Sequence, residues 1–321
     1  MSPVPSRAVR FREYGEPADV LREERIEVAD PPAGRVRVQV IAAGLNPADW
    51  ELCRGFMPGS LPRGIGCDAA GRVDAVGEDV EGVAAGDLVF GSADFVGQPS
   101  AGVADAAILS SWYRVPDGLD PVEAAVLPMV VQTARWTLDA MGVGSGTTLL
   151  VNGAGAMVGF AAVQIALRRG ARVIAAAGSV FAAELTALGA LVTPYGEGLA
   201  ERVRDLAKGP VDLVLDAAPP NAGSIPELIA IAGEPHRVMT ISNHDEARQH
   251  GARVNLDHRG PLAPVATFLP EYAALAANGA FRIPIAHTYP LGEWRKAVAL
   301  SMSGHPHGKV VLLPEELSTD N

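Results

Sequence analysis

The 321-residue sequence is poor in cysteine, in lysine and in long apolar runs, and each shortage excludes a class of protein. Its two cysteines, Cys53 and Cys67, are too few for a disulfide framework or for a structural zinc site with four thiolates. No stretch approaches the roughly 20 consecutive apolar residues of a membrane-spanning helix, and the N-terminus has no apolar core followed by a cleavage site. We therefore expect reduced thiols and a cytoplasmic protein that does not act on a membrane.

Positive charge is also scarce. The chain has three lysines and no basic run, and its formal net charge is -11. Nucleic-acid recognition needs clustered Lys and Arg to neutralise phosphates, so a nucleic-acid partner is not expected. A chain of this length suits two domains of moderate size, each with its own core. The composition therefore points to a two-domain protein that acts on a small molecule.

The pattern of apolar residues changes along the chain. Residues 6 to about 121 alternate in short segments broken by Gly and Pro, as in 35–40 and 71–77, which predicts an irregular β-barrel or sandwich. From Pro121 the spacing becomes helical, and strands and helices then alternate strictly. The predicted strands are 147–152, 172–177, 190–193, 211–217 and 236–241, and the predicted helices between them are 158–169, 181–188, 199–207 and 224–231. This alternation is typical of a doubly wound parallel sheet.

After about residue 260 the alternation stops. Helices are predicted at 270–278 and 292–302, and an apolar strand, 310–313, follows them. Because a single apolar strand cannot bury itself, we expect it to return to the first domain. The predicted fold class is therefore α/β, with a β-rich domain formed by residues 1–121 and 261–321 and a parallel-sheet domain formed by residues 122–260.

A turn rich in small residues links the first predicted strand of the parallel sheet to its first helix. It reads VNGAGAMVG over residues 151–159. Small residues such as Gly153 and Ala154 let the backbone approach a pyrophosphate, and the N–H groups at the helix start point at its negative charge. A tight turn without a ligand is the less favoured interpretation, because the turn opens a series of β-α steps. Aligned on Gly159, the other two fingerprint glycines are replaced by Ala154 and Ala156, which allow close approach less freely.

The end of the second predicted strand favours NADPH over NADH. Enzymes that use NAD place Asp or Glu here against the ribose 2′-hydroxyl, whereas this chain has Gly178 and Ser179. The Ser179 hydroxyl can donate to a 2′-phosphate, and no carboxylate would repel it. Residues 179–183 contain no Lys or Arg, so the expected cation is missing from this segment. Tyr195, after the third strand, either reaches the phosphate or is an ordinary half-buried aromatic residue.

Several further segments occur along the chain in a distinctive order. They read AAGLNPAD (42–49), GCDAAGRVDAVG (66–77), GDLVFG (86–91), LP with QTA (127–128 and 132–134) and HGKVV (307–311). Together with the turn, they make almost the whole chain resemble the quinone oxidoreductase branch of the medium-chain dehydrogenase/reductase family. The resemblance implies a GroES-like catalytic domain formed by both parts of the β-rich domain, a Rossmann domain that binds NADPH, and often a homodimer built through the edges of the Rossmann sheets.

The resemblance also carries site residues over, position by position. Asn46 and Thr133 match residues that line the nicotinamide; without the other motifs, Asn46 would be read as a turn residue before Pro47. Ala156, Met157 and Val158 match the pyrophosphate turn, and Gly178, Ser179 and Tyr195 match the adenosine-ribose end. Ile241, Ser242 and Asn243 match the loop after the fifth strand. His307, Gly308 and Lys309 match the closing motif near the nicotinamide.

Zinc is not expected. Zinc-dependent relatives place Cys and His ligands in the segments that correspond to 44–49 and 66–68, and four cysteines in a separate lobe. This chain offers Asn46 and Asp49 in the first segment and Cys67 in the second, and the lobe is missing. One thiol beside carboxylates is a poor ligand set for zinc.

Without a Lewis acid to ionise an alcohol, reduction of an activated C=C bond is the expected reaction. We predict an NADPH-dependent reductase that transfers hydride to a quinone, an enone or an enoyl substrate. The catalytic candidates are Asn46, Trp50 and Thr133. A Tyr often follows the Asn-Pro-x-Asp segment in this branch, where this chain has Trp50 and Glu51; Trp50 would pack against a planar substrate, and no proton donor is assigned. The alternatives are an NADPH-binding structural or regulatory protein with little catalysis and an enoyl reductase specific to one pathway.

Overall fold

The computed structural model describes residues 3–93, 101–258, 267–304 and 306–314. The chain divides into two compact units, one formed by Met1–Met129 with Val265–Asn321 and the other by Val130–Pro264. The boundary expected between residues 121 and 122 falls inside the first unit, because the helical spacing that begins at Pro121 starts with a short helix of that unit. The boundary expected between residues 260 and 261 lies outside the described residues.

The first unit begins with short strands and three short helices. In chain order its elements are β1 (Val4–Phe11), α1 (Pro17–Val20), β2 (Arg22–Val28), β3 (Val36–Gly44), α2 (Pro47–Cys53), β4 (Arg63–Gly64), β5 (Asp68–Val76), β6 (Leu88–Ala93), β7 (Ala106–Arg114) and α3 (Pro121–Ala124).

Helix α4 (Pro128–Met141) opens the alternating region. The elements after it are β8 (Thr148–Asn152), α5 (Met157–Arg168), β9 (Arg172–Ala176), α6 (Ser179–Ala187), β10 (Leu191–Thr193), α7 (Leu199–Ala207), β11 (Leu213–Asp216), α8 (Ser224–Ala232), β12 (Val238–Thr240), α9 (His244–Gln249) and β13 (Arg253–Val254). The first unit then continues with α10 (Leu269–Ala277), β14 (Ile285–Pro290), α11 (Trp294–Met302) and β15 (Lys309–Leu313). None of the helices in the described part of the chain combines the length and the apolar character that a membrane crossing requires.

The first unit is an irregular barrel, as its alternating segments predict. Its larger sheet has the order β14-β15-β3-β5-β6-β7, and β3 also pairs with β7, so that β3, β5, β6 and β7 close into a ring. Every second side chain of β3, namely Val36, Val38 and Val40, is buried in the core. The last strand, β15, pairs antiparallel with β3, which brings the segment after residue 308 against the segment that precedes Asn46.

The second unit is a doubly wound parallel sheet. Its strand order is β10-β9-β8-β11-β12-β13, and all neighbouring strands run parallel. The apolar runs of the strands are buried on both faces, and Leu149, Leu150 and Val151 of β8 have no exposed surface. The strand order reverses at β8, whose neighbours are β9 on one side and β11 on the other. In sheets of this kind a ligand binds beyond the carboxyl ends of the strands at that switch point.

Candidate coenzyme site and buried polar cluster

The turn after β8 leaves no room for a side chain at two of its glycines. Gly153 has a φ of +76°, and a Cβ there would lie 2.6 Å from the Cα of Ala218 and closer still to its nitrogen. At Gly159 a Cβ would lie 2.9 Å from the carbonyl carbon of Gly153 and closer still to its oxygen. Gly155 is different, because a Cβ there would meet the Phe181 ring at an ordinary 3.7 Å. The turn is therefore as tight as a phosphate-binding turn requires, although alanines replace two fingerprint glycines.

Helix α5 starts at this turn with backbone N–H groups that no side chain among the described residues caps. Its N-cap residue is Ala156, whose side chain offers no acceptor. The first helical hydrogen bond runs from the N–H of Phe160 to the carbonyl of Ala156, at 2.7 Å, so the N–H groups of Met157 and Val158 precede it. Such a helix start binds anions well, because the exposed N–H groups and the helix dipole both favour negative charge. The residues present thus fit a pyrophosphate.

The residues predicted at the adenosine-ribose end lie together. Gly178 is the N-cap of α6 and Ser179 is its first residue. The ring of Tyr195 lies beside them, since a Cβ added to Gly178 would be 3.6 Å from the Tyr195 Cε1 and 3.9 Å from its hydroxyl oxygen. Tyr195 is 60% exposed, so its ring is open to a ligand. Ser179 also lines an open surface cavity of about 670 Å³, together with Thr193 of β10.

A cation that sequence reasoning missed lies next to this group. Arg202, on α7, donates from Nε to the Thr193 hydroxyl at 3.1 Å and from its other nitrogens to the carbonyls of Glu197, at 2.6 Å, and Pro194, at 3.0 Å. It therefore holds the segment that carries Tyr195 and places positive charge there. Residues 179–183 contain no Lys or Arg, and the cation comes instead from the helix that follows the third strand.

The loop after β12 is fixed by a buried carboxylate that the sequence analysis did not single out. Asp216, at the end of β11, accepts from the Asn152 amide and from the Thr240 hydroxyl, each at 2.9 Å. Burial raises the pKa of Asp216, and these hydrogen bonds oppose the shift. The hydroxyl of Ser242 donates to the carbonyl of Ala218 at 2.5 Å. Asp216 thus joins the carboxyl ends of β8, β11 and β12 at the switch point.

The other two residues predicted in this loop are also held by hydrogen bonds. Ile241 donates from its backbone N–H to the Asp216 carbonyl at 3.0 Å, and the Asn243 amide donates to Glu246 at 2.6 Å. The loop is therefore ordered by groups of the second unit.

In the first unit, strand pairing assembles a buried polar cluster. Gly44 lies opposite both Asp68 and Val311, so Asp68 on β5 and Lys309 on β15 meet Asn46, which follows β3 and is the N-cap of α2. Lys309 Nζ donates to Asn46 Oδ1 at 2.5 Å, and Asn46 Nδ2 donates to Asp68 Oδ2 at 3.0 Å and to the carbonyl of Gly44 at 3.2 Å. The Lys309 Nζ lies 3.8 Å from Asp68 Oδ2. The cluster is enclosed, because Asn46 is 3% exposed, Lys309 4% and Asp68 0%.

The Asp49 carboxylate and the Cys67 thiol complete the cluster. Asp49 accepts from the backbone N–H groups of Asn46 and Gly66, each at 2.8 Å, and the Cys67 thiol donates to it at 3.4 Å. Burial raises the pKa of Asp68 to about 6 and raises the pKa of the Cys67 thiol, and it lowers the pKa of Lys309. The hydrogen bonds that Asp68 accepts and the nearby Lys309 ammonium favour its carboxylate form, and burial favours the protonated thiol of Cys67. Among the described residues no group of three or more His, Cys, Asp or Glu is arranged to hold a metal ion.

The remaining predicted residues are placed less favourably for contact with a ligand. Trp50, on α2, is 4% exposed and packs in the hydrophobic core, and its indole N–H has no partner among the described residues. Thr133 is half-buried on α4, where its carbonyl accepts from Thr137 at 2.7 Å. His307 is exposed, and Gly308 is required because a Cβ there would lie 2.7 Å from the nitrogen of Ala286. Of the closing motif, Lys309 alone reaches the described polar cluster.

Two family models match the chain. Residues 32–110 match the alcohol dehydrogenase GroES-like domain, and residues 188–312 match a domain described as zinc-binding dehydrogenase. The first matched segment lies in the barrel, and the second lies in the C-terminal half of the chain.

Curated relatives and solved structures agree with these models. The chain is 28% identical to the chloroplast envelope quinone oxidoreductase homolog of Arabidopsis thaliana over 331 residues, which cover 96% of this chain and 98% of the relative. It is 33% identical to the erythronolide synthase EryA2 of Saccharopolyspora erythraea over 87% of this chain, but it spans only 8% of that relative's length. The structure of the quinone oxidoreductase from Coxiella burnetii superposes with a TM-score of 0.79 at 27% identity, over 97% of this chain and 99% of the other.

Proposed function

Because the chain belongs to the quinone oxidoreductase-like branch of the medium-chain dehydrogenase/reductase family and is an oxidoreductase, we propose that it uses NADPH, without zinc, to reduce the activated C=C bond of a quinone, an enone or an enoyl substrate. The observation that carries the proposal is the start of α5, where a backbone-tight turn presents uncapped N–H groups at the switch point of a doubly wound sheet.

The preference for NADPH is supported by the groups around Ser179. A hydroxyl at the start of α6, the exposed Tyr195 ring and the guanidinium of Arg202 all lie at the end of β9 and β10. A 2′-phosphate gains hydrogen bonds and favourable charge from such groups, whereas the 2′-hydroxyl of NADH gains much less. In this segment no carboxylate stands where an NAD enzyme would bind that hydroxyl.

Zinc independence is supported by charge. The cluster that occupies the expected ligand segments already contains a cation, since the Lys309 ammonium is bound to Asn46 and lies 3.8 Å from Asp68. A dication placed among the same carboxylates would be repelled by that ammonium at short distance in a dry environment. The two amide hydrogens and the ammonium also occupy the atoms that would otherwise act as ligands.

Bound NADPH would supply a hydride to the carbon β to the substrate carbonyl, and the chain's residues would hold the coenzyme and exclude water. The N–H groups of Met157 and Val158 hold the pyrophosphate, and the Asp216 network holds the loop of Ile241, Ser242 and Asn243. Glu51 takes no part, because it is paired with Arg54 at 2.8 Å on the surface.

The proposal is tested by following NADPH and NADH oxidation with 1,4-quinones, α,β-unsaturated ketones and enoyl thioesters, and by identifying the products. We expect saturated carbonyl products or hydroquinones, with NADPH preferred. If NADPH bound tightly but none of these acceptors led to its oxidation, the result would instead support a structural or regulatory NADPH-binding protein. Turnover confined to enoyl thioesters would identify the pathway-specific enoyl reductase. A homodimer and a cytoplasmic location stay predictions.

A further inference from the structure

One carboxylate of the second unit joins the loops that follow β11 and β12. Glu246, on α9, accepts from the backbone N–H of Gly223 at 2.5 Å and from that of Ile225 at 3.3 Å, at the start of α8. The oxygen that receives the Ile225 N–H also accepts from the Asn243 amide at 2.6 Å. The same amide nitrogen donates to the carbonyl of Asn221 at 3.2 Å. Glu246 therefore ties the end of the loop after β11 to the end of the loop after β12.

Helix α8 receives its cap from this distant residue and not from its own N-terminal segment. Its N-cap is Gly223, which has a φ of +84° and no side chain. A Ser, Asp or Asn at the N-cap would satisfy the helix start without contacting another loop. Partial burial raises the pKa of Glu246, but the hydrogen bonds that it accepts outweigh this effect and leave the pKa below its usual value. Glu246 is therefore a carboxylate at neutral pH, which strengthens the hydrogen bonds that it accepts.

The two loops also pack against each other and against the nucleotide turn. A Cβ added to Gly153 would lie 2.6 Å from the Cα of Ala218, in the loop after β11. The carbonyl of Ala218 accepts from the Ser242 hydroxyl, in the loop after β12, at 2.5 Å. The backbone N–H groups of Ser242 and Asn243 both donate to the Thr240 hydroxyl, at 3.2 Å and 3.0 Å. A shift of either loop therefore changes the contacts of the other loop and of the turn.

These loops belong to one half of the parallel sheet. A doubly wound sheet has two halves on either side of its switch point, and each half binds one nucleotide of a dinucleotide. The residues predicted at the adenosine-ribose end, Ser179 and Tyr195, follow β9 and β10. The loops after β11 and β12 lie in the other half, which is left for the nicotinamide nucleotide.

We propose that Glu246 is a positioning residue that holds these two loops in the arrangement that binds the nicotinamide nucleotide of the coenzyme. The inference rests on the proposed function, because it requires a nicotinamide coenzyme at the switch point. A chain without this carboxylate has to order both loops when the coenzyme binds. Its apparent affinity then falls in proportion to the fraction of molecules whose loops are ordered beforehand.

The test compares NADPH with 2′,5′-ADP, which carries the adenosine half of the coenzyme and no nicotinamide nucleotide. Isothermal titration calorimetry of the full chain measures both dissociation constants well below the melting temperature. We expect Glu246→Ala to bind NADPH about five- to tenfold more weakly, as when roughly a tenth to a fifth of the molecules have ordered loops. Its affinity for 2′,5′-ADP should stay within about twofold of the wild type, because that ligand does not depend on the loops. A residue that only capped α8 would change thermal stability and neither dissociation constant.

Two further variants separate the role of Glu246 from the loss of any acidic group. Asp245→Ala is the matched control, because Asp245 is the neighbouring acidic residue of α9 and its side chain is 96% exposed. It should bind both ligands as the wild type does. Glu246→Gln keeps the length of the side chain but replaces one acceptor oxygen by an NH₂ group. It should weaken NADPH binding less than Glu246→Ala does, and it replaces that variant if Glu246→Ala does not fold.

Hydrogen exchange of the wild type tests the same coupling without any variant. If the loops joined by Glu246 favour NADPH, bound NADPH must favour the joined loops to the same extent. The amides of Gly223 and Ile225 should therefore exchange at least about threefold more slowly in the NADPH complex. Bound 2′,5′-ADP should leave their exchange unchanged.

Three results would each overturn the inference while leaving NADPH-dependent reduction intact. They are an equal loss of affinity for NADPH and 2′,5′-ADP in Glu246→Ala, an NADPH affinity of Glu246→Ala equal to that of Asp245→Ala, and exchange at Gly223 and Ile225 that NADPH does not slow. A wild type that binds no NADPH would remove both the inference and the proposed function.

Discussion

Replacing Gly159 by Ala tests the turn that the proposed function depends on. The added Cβ would lie 2.9 Å from the carbonyl carbon of Gly153 and closer still to its oxygen, and both are backbone atoms that cannot rotate away. Overpacking of this kind costs about 1–3 kcal/mol. Gly159 lies inside α5, where Ala is favoured over Gly by about 1 kcal/mol, so part of the cost is offset. We expect a net loss of up to about 2 kcal/mol in the free energy of unfolding.

The coenzyme should feel the change more strongly than the fold does. Relief of the contact moves the Gly153 carbonyl away from the start of α5, and the N–H groups of Met157 and Val158 then no longer converge on one anion. Two charge-assisted hydrogen bonds weakened by about 1 kcal/mol each correspond to a loss of NADPH affinity of about thirtyfold.

Gly155→Ala provides the matched control. It makes the same chemical change in the same turn, but its Cβ meets the Phe181 ring at 3.7 Å. It should alter stability by less than about 0.5 kcal/mol and lower NADPH affinity less than Gly159→Ala does. Thermal unfolding and fluorescence titration with NADPH measure both effects. If Gly159→Ala matched Gly155→Ala in melting temperature and in NADPH affinity, the assignment of this turn to the pyrophosphate would be wrong.

Three further predictions concern charge and capping. Ala156→Asp supplies the missing N-cap acceptor of α5, so the protein should gain about 1 kcal/mol of stability and melt at a higher temperature. Its NADPH affinity should fall, because the new carboxylate repels the pyrophosphate. A gain in both stability and NADPH affinity would contradict the anion site. Arg202→Met should lower the ratio of NADPH to NADH affinity about tenfold. Arg204 is an exposed arginine on the same helix, and Arg204→Met should leave that ratio unchanged. An unchanged ratio in a folded Arg202→Met protein would exclude Arg202 from 2′-phosphate recognition. Because burial raises the pKa of Asp68 from 3.8 to about 6, the folded state binds this proton more tightly than the unfolded chain does, so stability is present at low pH and is lost as pH rises from about 4 to about 6. Denaturant titrations should show the wild type losing up to roughly 3 kcal/mol relative to Asp68→Asn across that window, and parallel pH profiles for the two proteins would refute the assignment.

The strands and helices with a strong apolar period could be predicted from sequence, and those without one could not. The predicted strands and helices of the parallel sheet agree with the structure within two residues at each end. Helix α9, with the sequence HDEARQ, was missed because Ala247 is its one buried residue, and so it has no apolar stripe. Strand β13, Arg253–Val254, was missed because two residues cannot show alternation.

The candidate site divides in the same way. The turn of residues 153–159 could be identified locally, because its glycines, the strand before it and the helix after it are contiguous in sequence. Asp216 and Arg202 were missed because an acidic residue at the end of a strand and an arginine on a helix are common, and their partners are distant in the chain.

The sequence by itself determined the fold class, the order of strands and helices and the place of the nucleotide turn, because hydrophobic periodicity and glycine spacing act over a few residues. The tertiary structure decided how the Asn46 side chain is oriented. Its amide is oriented by Lys309, 263 residues away, which reaches it because β15 pairs with β3, and by Asp68, which reaches it because β5 also pairs with β3. Periodicity reports which side chains are buried, but strand pairing decides which buried polar groups meet.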